Sequence, residues 1–315
     1  MANPTELRPP SSTLSLRPVL IAGPTAVGKS EIALCLAEQL GGEIISADSM
    51  QVYRGLDLGT AKPSPADRAR VPHHLIDICD LTESFDAAQF ARLAHRAVAE
   101  IRSRGRVPIL CGGTGLYFRA FLEGLGEAPS ADAKLRAELA ATPLAMLLAE
   151  LRERDPAVYE KIDKKNPRRV IRAVEVIRLT GKPFSEQRAE WTSESGIRNP
   201  ESRFFCLTRS SSDLHARISA RVDGMFTHGL VDETRELLRH GLEQNKTAMQ
   251  AIGYRQVVEH LRGGRSLAET IELVKIRTRQ FAKRQLTWFR ARKNPEWIEL
   301  KPDESLENCA RKFRV

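Results

Sequence analysis

Eight residues, GPTAVGKS at positions 23–30, restrict the folds open to this 315-residue chain more than any other feature. They satisfy Gly-x-x-x-x-Gly-Lys-Ser in full, with Gly23, Gly28, Lys29 and Ser30 at the fixed positions. Such a stretch works where a strand delivers the chain to a glycine turn and a helix begins at once, because backbone N–H groups and the helix N-terminus then converge on an anion. Both flanks fit. Val19 to Ala22 is a short apolar run, and EIALCLAEQL (31–40) has apolar residues at helical spacing before Gly41-Gly42. The loop is expected to bind at least two linked phosphates through Gly23, Pro24, Thr25, Ala26, Val27, Gly28, Lys29 and Ser30. Lys29 adds a point charge, and the Ser30 hydroxyl is the expected metal ligand, helping to hold Mg²⁺. Nothing in the loop says what the phosphates are attached to.

Beyond it, EIISA (43–47) reads as a second strand, LIDI (75–78) as a third and RVPILC (106–111) as another buried strand ending in GGTG. Between Ser84 and Gly105, the residues Phe90, Leu93, Ala94, Ala97, Val98 and Ile101 fall on one helical face. Alternating strands and helices predict an α/β fold, a P-loop NTPase-like parallel sheet core flanked by helices, with ligands at the carboxyl ends of the strands. From about residue 126 the chain turns rich in alanine, leucine and charge, and up to Trp191 it reads as helices broken at prolines. Residues 126–200 are therefore expected to be a helical insertion domain between two parts of the core, 18–125 and 201–293. RFFCLTR (203–209) returns to strand character. A helical region with Leu214, Ile218, Val222, Met225 and Phe226 on one face follows, and a last helix opens at the capping box Ser266 to Glu269. Residues 1–17 read as a flexible extension and 294–315 as a tail.

No stretch approaches the roughly 18 unbroken apolar residues of a membrane span, so no membrane partner is expected. The five cysteines are far apart and never spaced Cys-x-x-Cys, which argues against a disulfide framework and a zinc site and for a cytoplasmic setting. Lysine and arginine outnumber aspartate and glutamate by 49 to 40, leaving a net charge of +9. Clustering is what gives that excess meaning. The stretch 161–178, containing NPRRVIR, holds seven basic and two acidic side chains, and 275–293 holds eight basic and none acidic, with Phe281, Trp288 and Phe289 interleaved. A solvated helix face normally mixes signs, so a phosphate backbone is the expected partner of the second stretch.

Asp48, at the carboxyl end of the strand beside the loop, is placed either to help hold a metal or to act as a base. Thr114, in GGTGLY, is within reach of the same phosphates. Arg217 and Arg221, four apart on one helix face, are suited to neutralising a leaving diphosphate. His73-His74 is set aside as a ligand pair, because adjacent strand residues point to opposite faces.

Taken in order, GPTAVGKS, SADSMQVYRGLDLGTAKP, PHHLIDI, GGTGLY, NPRRVIRAVEV, AIGYRQ and FAKRQLTWFR resemble the bacterial tRNA dimethylallyltransferases, or tRNA isopentenyltransferases, from about Val19 to Lys293. The resemblance implies transfer of a dimethylallyl group from dimethylallyl diphosphate to N6 of the adenosine 3′ of the anticodon, in tRNAs reading codons that begin with U. The loop then holds a prenyl diphosphate with Mg²⁺ and hydrolyses no nucleotide. Asp48 becomes the base, while Lys29, Thr114 and an arginine of the LHARISARV helix, Arg217 with Arg221 as the alternative, stabilise departing diphosphate. The family's tRNA contacts fall on Asp48, Ser49, Met50, Gln51, Thr114, Arg136, Arg168, Arg169, Val170, Ile171, Arg172, Ala251, Ile252, Gly253, Tyr254, Arg255 and Gln256. A monomer binding the anticodon stem-loop is expected. The rivals are an adenylate isopentenyltransferase acting on free AMP, ADP or ATP, against which the basic stretches argue, and a nucleotide kinase.

Overall fold

The computed structural model describes residues 16–126, 128, 129, 131–187, 202–292 and 295–313. Six strands form one sheet: Val19–Ala22 (β1), Glu43–Ala47 (β2), His73–His74 (β3), Pro108–Gly112 (β4), Arg203–Thr208 (β5) and Glu296–Glu299 (β6). The order is β3-β2-β4-β1-β5-β6, and every pairing is parallel. A parallel sheet covered on both faces needs strands without a polar side, and β1, β2 and β4 are buried at every residue. Val19 pairs with Ile109 of β4 on one side and Arg203 of β5 on the other, so the strand that feeds the glycine loop is central. The chain leaves β1, steps past the place of β4 to make β2, and returns. That reversal opens a crevice at the carboxyl ends of the strands, where the segments after β1, β2 and β4 emerge.

The helices are α1 (Lys29–Leu40), α2 (Pro65–Arg70), α3 (Ala87–Ser103), α4 (Gly115–Glu123), α5 (Ala133–Ala141), α6 (Leu144–Arg154), α7 (Pro156–Lys161), α8 (Pro167–Thr180), α9 (Phe184–Gln187), α10 (Ser211–Thr227), α11 (Leu230–Arg239), α12 (Tyr254–Leu261), α13 (Leu267–Arg290) and α14 (Leu306–Arg311). In α3 the expected face is buried at Phe90, Ala94, Ala97, Val98 and Ile101, with Leu93 at its rim. The Ser266–Glu269 capping box starts α13.

The chain divides into two compact units, residues 1–122 with 198–315, and residues 123–197. The first is built on the sheet, where Ile21, Ile32, Leu36, Ile109, Phe205 and Ile218 share one core. The second contains α5 to α9, and its core joins Leu139, Leu147, Leu151, Val170, Val174 and Ile177. Its breaks fall at Pro143, Pro156, Pro167 and Pro183, as the reading of proline-broken helices requires. Of the expected insertion, residues 188–200 with Trp191 lie outside the described residues, as do 1–15 of the extension and Lys293.

Two expectations need correction. LIDI is not a strand: the third strand is the preceding His73–His74, and the chain turns immediately because Leu75 and Asp77 take left-handed conformations, φ 61° and 57°. Asp77 is held in that turn by Lys62 at 2.5 Å and Arg68 at 2.7 Å. The capping-box helix is not the last one. The stretch read as a tail adds β6 beside β5 and then α14, whose Cys309 and Ala310 enter the main core with Phe313. Trp297 and Ile298 carry too short an apolar signal to announce a strand; only Ile298 of β6 is buried.

Candidate active site

The glycine loop leaves β1 with Gly23 at φ 145°, where a Cβ would lie 2.7 Å from Leu207 O, so no side chain fits. Ala26 takes φ 63° without glycine's freedom, at a cost of about 1–2 kcal/mol. Side chains from α10, α13 and the residue that follows β5 hold this shape. Thr25 N donates to Gln285 Oε1 at 2.8 Å, Arg217 Nε to Ala26 O at 2.9 Å, and Arg209, just past β5, sends Nε to Val27 O at 2.7 Å. Lys29 Nζ donates to Pro24 O at 2.7 Å across the loop. The strain is therefore fixed by surroundings, the condition under which such conformations persist at functional sites.

At the end of β2, Asp48 Oδ1 accepts from Met50 N at 2.8 Å and Gln51 N at 3.4 Å. This Asx turn engages one carboxylate oxygen, and among the described residues Oδ2 takes no hydrogen bond. Burial pushes the Asp48 carboxyl above its ordinary value, against the opposing pull of the Met50 amide and the positive charges of Lys29 and Arg221. Thr114, after β4, ties the two strand ends together. Its Oγ1 accepts from Ser49 N at 3.1 Å, and its own N donates to Ala47 O at 3.2 Å.

Burial, reinforced by Arg221 and partly offset by Asp48, brings the Lys29 ammonium down to about 8. The two candidate arginines separate on geometry. Arg217 spends Nε on Ala26 O and places NH2 3.4 Å from Glu31 Oε2, so it braces the loop from outside. Arg221 reaches Thr25 Oγ1 at 3.3 Å and interacts electrostatically with both Lys29 and Asp48. Arg217 thus braces the loop while Arg221 faces the charges of the site, and the two stay the candidates to meet a leaving diphosphate.

The donors present suit Mg²⁺ only in company with phosphate. Among the described residues no three or more His, Cys, Asp or Glu side chains form a cage. Ser30 presents an exposed hydroxyl in the first turn of α1, and Asp48 a single carboxylate. Few protein donors, with water and substrate oxygens filling the rest, is how Mg²⁺ is held in phosphate-transfer sites. The histidines set aside have other partners: His73 Nδ1 lies 2.7 Å from Val71 O, and His74 Nε2 2.7 Å from Glu43 Oε2.

The residues expected to touch tRNA fall into two classes. Ser49, Met50 and Gln51 are half-buried beside Asp48; Gln51 Nε2 donates to Thr60 O at 3.2 Å and Ala61 O at 3.3 Å, so its amide supports the GTAKP turn. Of the group at 251–256, only Arg255 is exposed and Ile252 half-buried. Tyr254, wholly buried, accepts from Gly59 N at 3.0 Å and donates to Glu233 Oε1 at 2.5 Å; Gln256 Oε1 accepts from Gly253 N at 2.9 Å. Tyr254 thus packs against the GTAKP turn with Gly253 beside Gly59, and of the six residues Arg255 offers the exposed side chain.

In the helical unit, Arg168 and Arg169 open α8 exposed, Ile171 is half-buried, and Val170 is sealed in the core, so its side chain meets no solute. Arg136 and Arg172 converge on Glu175, which is wholly buried: Arg136 Nε lies 2.8 Å from Oε1 and Arg172 NH1 2.6 Å from Oε2. That carboxylate offsets one of their two positive charges. The basic stretch 275–293 divides likewise. Lys275 pairs with Asp223 of α10 and with Glu272, three residues before the stretch begins, each at 2.8 Å, while Lys283, Arg284 and Arg290 are exposed.

The sequence reading missed Arg209 and Gln285. Gln285 lay inside a stretch read for its charge; its signal was its spacing from Ala282 and Phe289, which puts all three on the buried face of α13. Trp288 on the same helix packs so closely on Gly115 that a Cβ there would lie 2.3 Å from the indole. The glycines of GGTG therefore admit α13 as much as any phosphate.

Three comparisons bear on this site. The family model described as IPP transferase matches residues 51–292. The chain is 48% identical to a tRNA dimethylallyltransferase of Halorhodospira halophila, over 92% of this chain and 94% of that protein. It is 46% identical to one of Geobacter sulfurreducens, over 94% and 96%. Among solved structures, the tRNA isopentenylpyrophosphate transferase of Bacillus halodurans matches with TM-score 0.67 at 40% identity, covering 94% of this chain and 95% of its own. A eukaryotic dimethylallyltransferase acting on tRNA matches with TM-score 0.80 at 28% identity, covering 94% and 77%. Sequence likeness over nearly the whole length and likeness of fold lead to one conclusion: this chain belongs to the IPP transferase family.

Proposed function

We propose that the chain is a prenyltransferase that moves a dimethylallyl group from dimethylallyl diphosphate to N6 of the adenosine 3′-adjacent to the anticodon of tRNAs reading codons that begin with U, releasing diphosphate. The relatives' printed names supply the reaction and the nucleic acid. The observation that carries the chemistry is Asp48, with Oδ1 fixed by two amides and Oδ2 open, in electrostatic contact with Lys29 and Arg221.

An exocyclic adenine amine is a weak nucleophile because its lone pair is drawn into the ring. As N6 attacks carbon 1 of the prenyl unit, the N6–C1 bond forms, the C1–O bond to diphosphate breaks, and the N6 proton passes to Asp48 Oδ2. A raised carboxyl pKa makes Asp48 a stronger base, provided it stays ionised at working pH, which the nearby cations favour. The charge that builds on diphosphate meets the loop amides, Lys29 and Arg221, set in place beforehand. Ser30, with the diphosphate oxygens, would hold Mg²⁺, which would supply further neutralisation of that charge. The adenine must leave its stack to reach the strand ends, at a cost of a few kcal/mol that contacts to the flipped base offset. Exposed cations at Arg168, Arg169, Lys283 and Arg284 are suited to phosphate contact.

The test offers dimethylallyl diphosphate with unmodified tRNA and, separately, with AMP. Prenylated tRNA and untouched AMP are expected. Prenylation of AMP with none of tRNA would overturn the reading.

A further inference from the structure

Gln285 is a buried glutamine in the middle of a helix rich in arginine and lysine, and both ends of its amide are used on other loops. Its Oε1 accepts from Thr25 N of the glycine loop at 2.8 Å, and its Nε2 donates to Gly113 O of the GGTG loop at 2.9 Å. A Cβ at position 113 would lie 2.2 Å from Nε2, so only glycine lets the amide come this close. One planar group thereby bridges the segment after β1 to the segment after β4. It does so next to the strained residue Ala26 and next to Thr114, which is bonded to the turn that carries Asp48. The bridge also withdraws Thr25 N from any anion, leaving the later amides of the loop to meet phosphate.

No other common side chain makes both bonds from this position. Glutamate would turn a second acceptor toward Gly113 O, asparagine is a methylene too short, and methionine fills the volume with neither bond.

We propose that Gln285 is a positioning residue that fixes the diphosphate loop against the segment carrying Thr114, and so sets the separation between leaving group and base. The proposal rests on the prenyl-transfer reading above. Misplacing reacting groups by an ångström costs on the order of 100-fold in rate, so the effect belongs in the chemical step and in diphosphate binding, with tRNA affinity left alone.

The test uses the full-length protein and Gln285→Met. Three quantities are read: single-turnover transfer to unmodified tRNA, calorimetric affinity for inorganic pyrophosphate with Mg²⁺, and tRNA affinity. Gln285→Met is expected to lower the transfer rate by about 30- to 100-fold and weaken pyrophosphate binding by about tenfold, with tRNA affinity changed by less than about twofold. Gln285→Glu should be worse than Gln285→Met in both. Transfer and pyrophosphate binding both within about threefold of the wild type in Gln285→Met would overturn the proposal. If that variant does not fold, Gly113→Ala, which displaces the amide from the opposite side, must give the same pattern or the proposal fails. A wild-type protein that transfers nothing to tRNA, but whose pyrophosphate affinity drops on Gln285→Met, would refute the prenyl-transfer reading and leave the bridge standing.

Discussion

At the glycine loop, Arg209 and Arg217 each divide a guanidinium between a backbone carbonyl, Val27 O and Ala26 O, and a carboxylate, Asp213 and Glu31, while Arg221 reaches the Thr25 hydroxyl. In the helical unit, Arg136 and Arg172 both close on the buried carboxylate of Glu175. Carbonyls and hydroxyls accept hydrogen bonds without cancelling charge, whereas a carboxylate cancels it. In the first arrangement Arg209 and Arg217 shape the loop, and Arg221, bonded to a hydroxyl, keeps its positive potential for an anion. The second shapes a helix pair and offsets one of its two positive charges. Arginine-rich sequence therefore overstates a basic surface wherever an acid is folded beneath it, and Glu175, which stands in the same stretch as NPRRVIR, gives no sign from sequence alone that it is the acid.

This contrast can be broken experimentally at several points, the largest first. Glu175→Ala leaves two arginines facing a buried vacancy. It should destabilise the helical unit by about 3 kcal/mol, the low end for a broken buried pair because both arginines keep a route to solvent. Hydrogen exchange in α5 and α8 reads that loss, and pyrophosphate binding by the loop should not change. A helical unit as protected as in the wild type would mean the cluster contributes nothing to its fold.

Arg221→Ala should slow prenyl transfer by about 100-fold, the scale for one preorganised donor to a developing anion, with stability nearly unchanged. Arg217→Ala should cost less, since that side chain braces Ala26 O. The reverse order in single-turnover rates would restore Arg217 as the residue that meets the leaving group.

The third effect depends on pH. With Lys29 near 8, its ammonium is mostly present below that pH and lost above it, so affinity for pyrophosphate should fall as pH rises through about 8. The sign follows because the charged form is the one that binds an anion. Titration calorimetry across that range checks it against Lys29→Met, in which the component due to this side chain must vanish; identical profiles for the two proteins would rule the lysine out as the source.

The sheet and the loop were legible because their signals are local. VLIA, EIISA and PILC are runs buried on both faces, and GPTAVGKS forces its own turn. LIDI misled because its apolar residues belong to a turn whose left-handed Leu75 and Asp77 are set by Lys62 and Arg68, a tertiary cause. The sixth strand was invisible because an edge strand with one buried residue has no pattern to show. At the site, Lys29 could be picked out by the GPTAVGKS pattern, and Asp48 and Thr114 by their place at strand ends. The choice between Arg217 and Arg221 could not, since both lie on one face of α10 and differ only in what that face meets. Tyr254 and Gln256 entered through the resemblance alone, and the bonds of Tyr254 to Gly59 N and of Gln256 to Gly253 N are features of the packed structure that no local pattern announces.

The most direct test of the account is single-turnover transfer from dimethylallyl diphosphate to unmodified tRNA by Asp48→Asn, with pyrophosphate and tRNA affinities measured on the same protein. Asparagine keeps an oxygen for the Met50 amide but accepts no proton. A rate lower by about 100- to 10,000-fold, with both affinities within about threefold of the wild type, is the predicted result. A near-normal rate would contradict proton transfer to Asp48 and with it the mechanism.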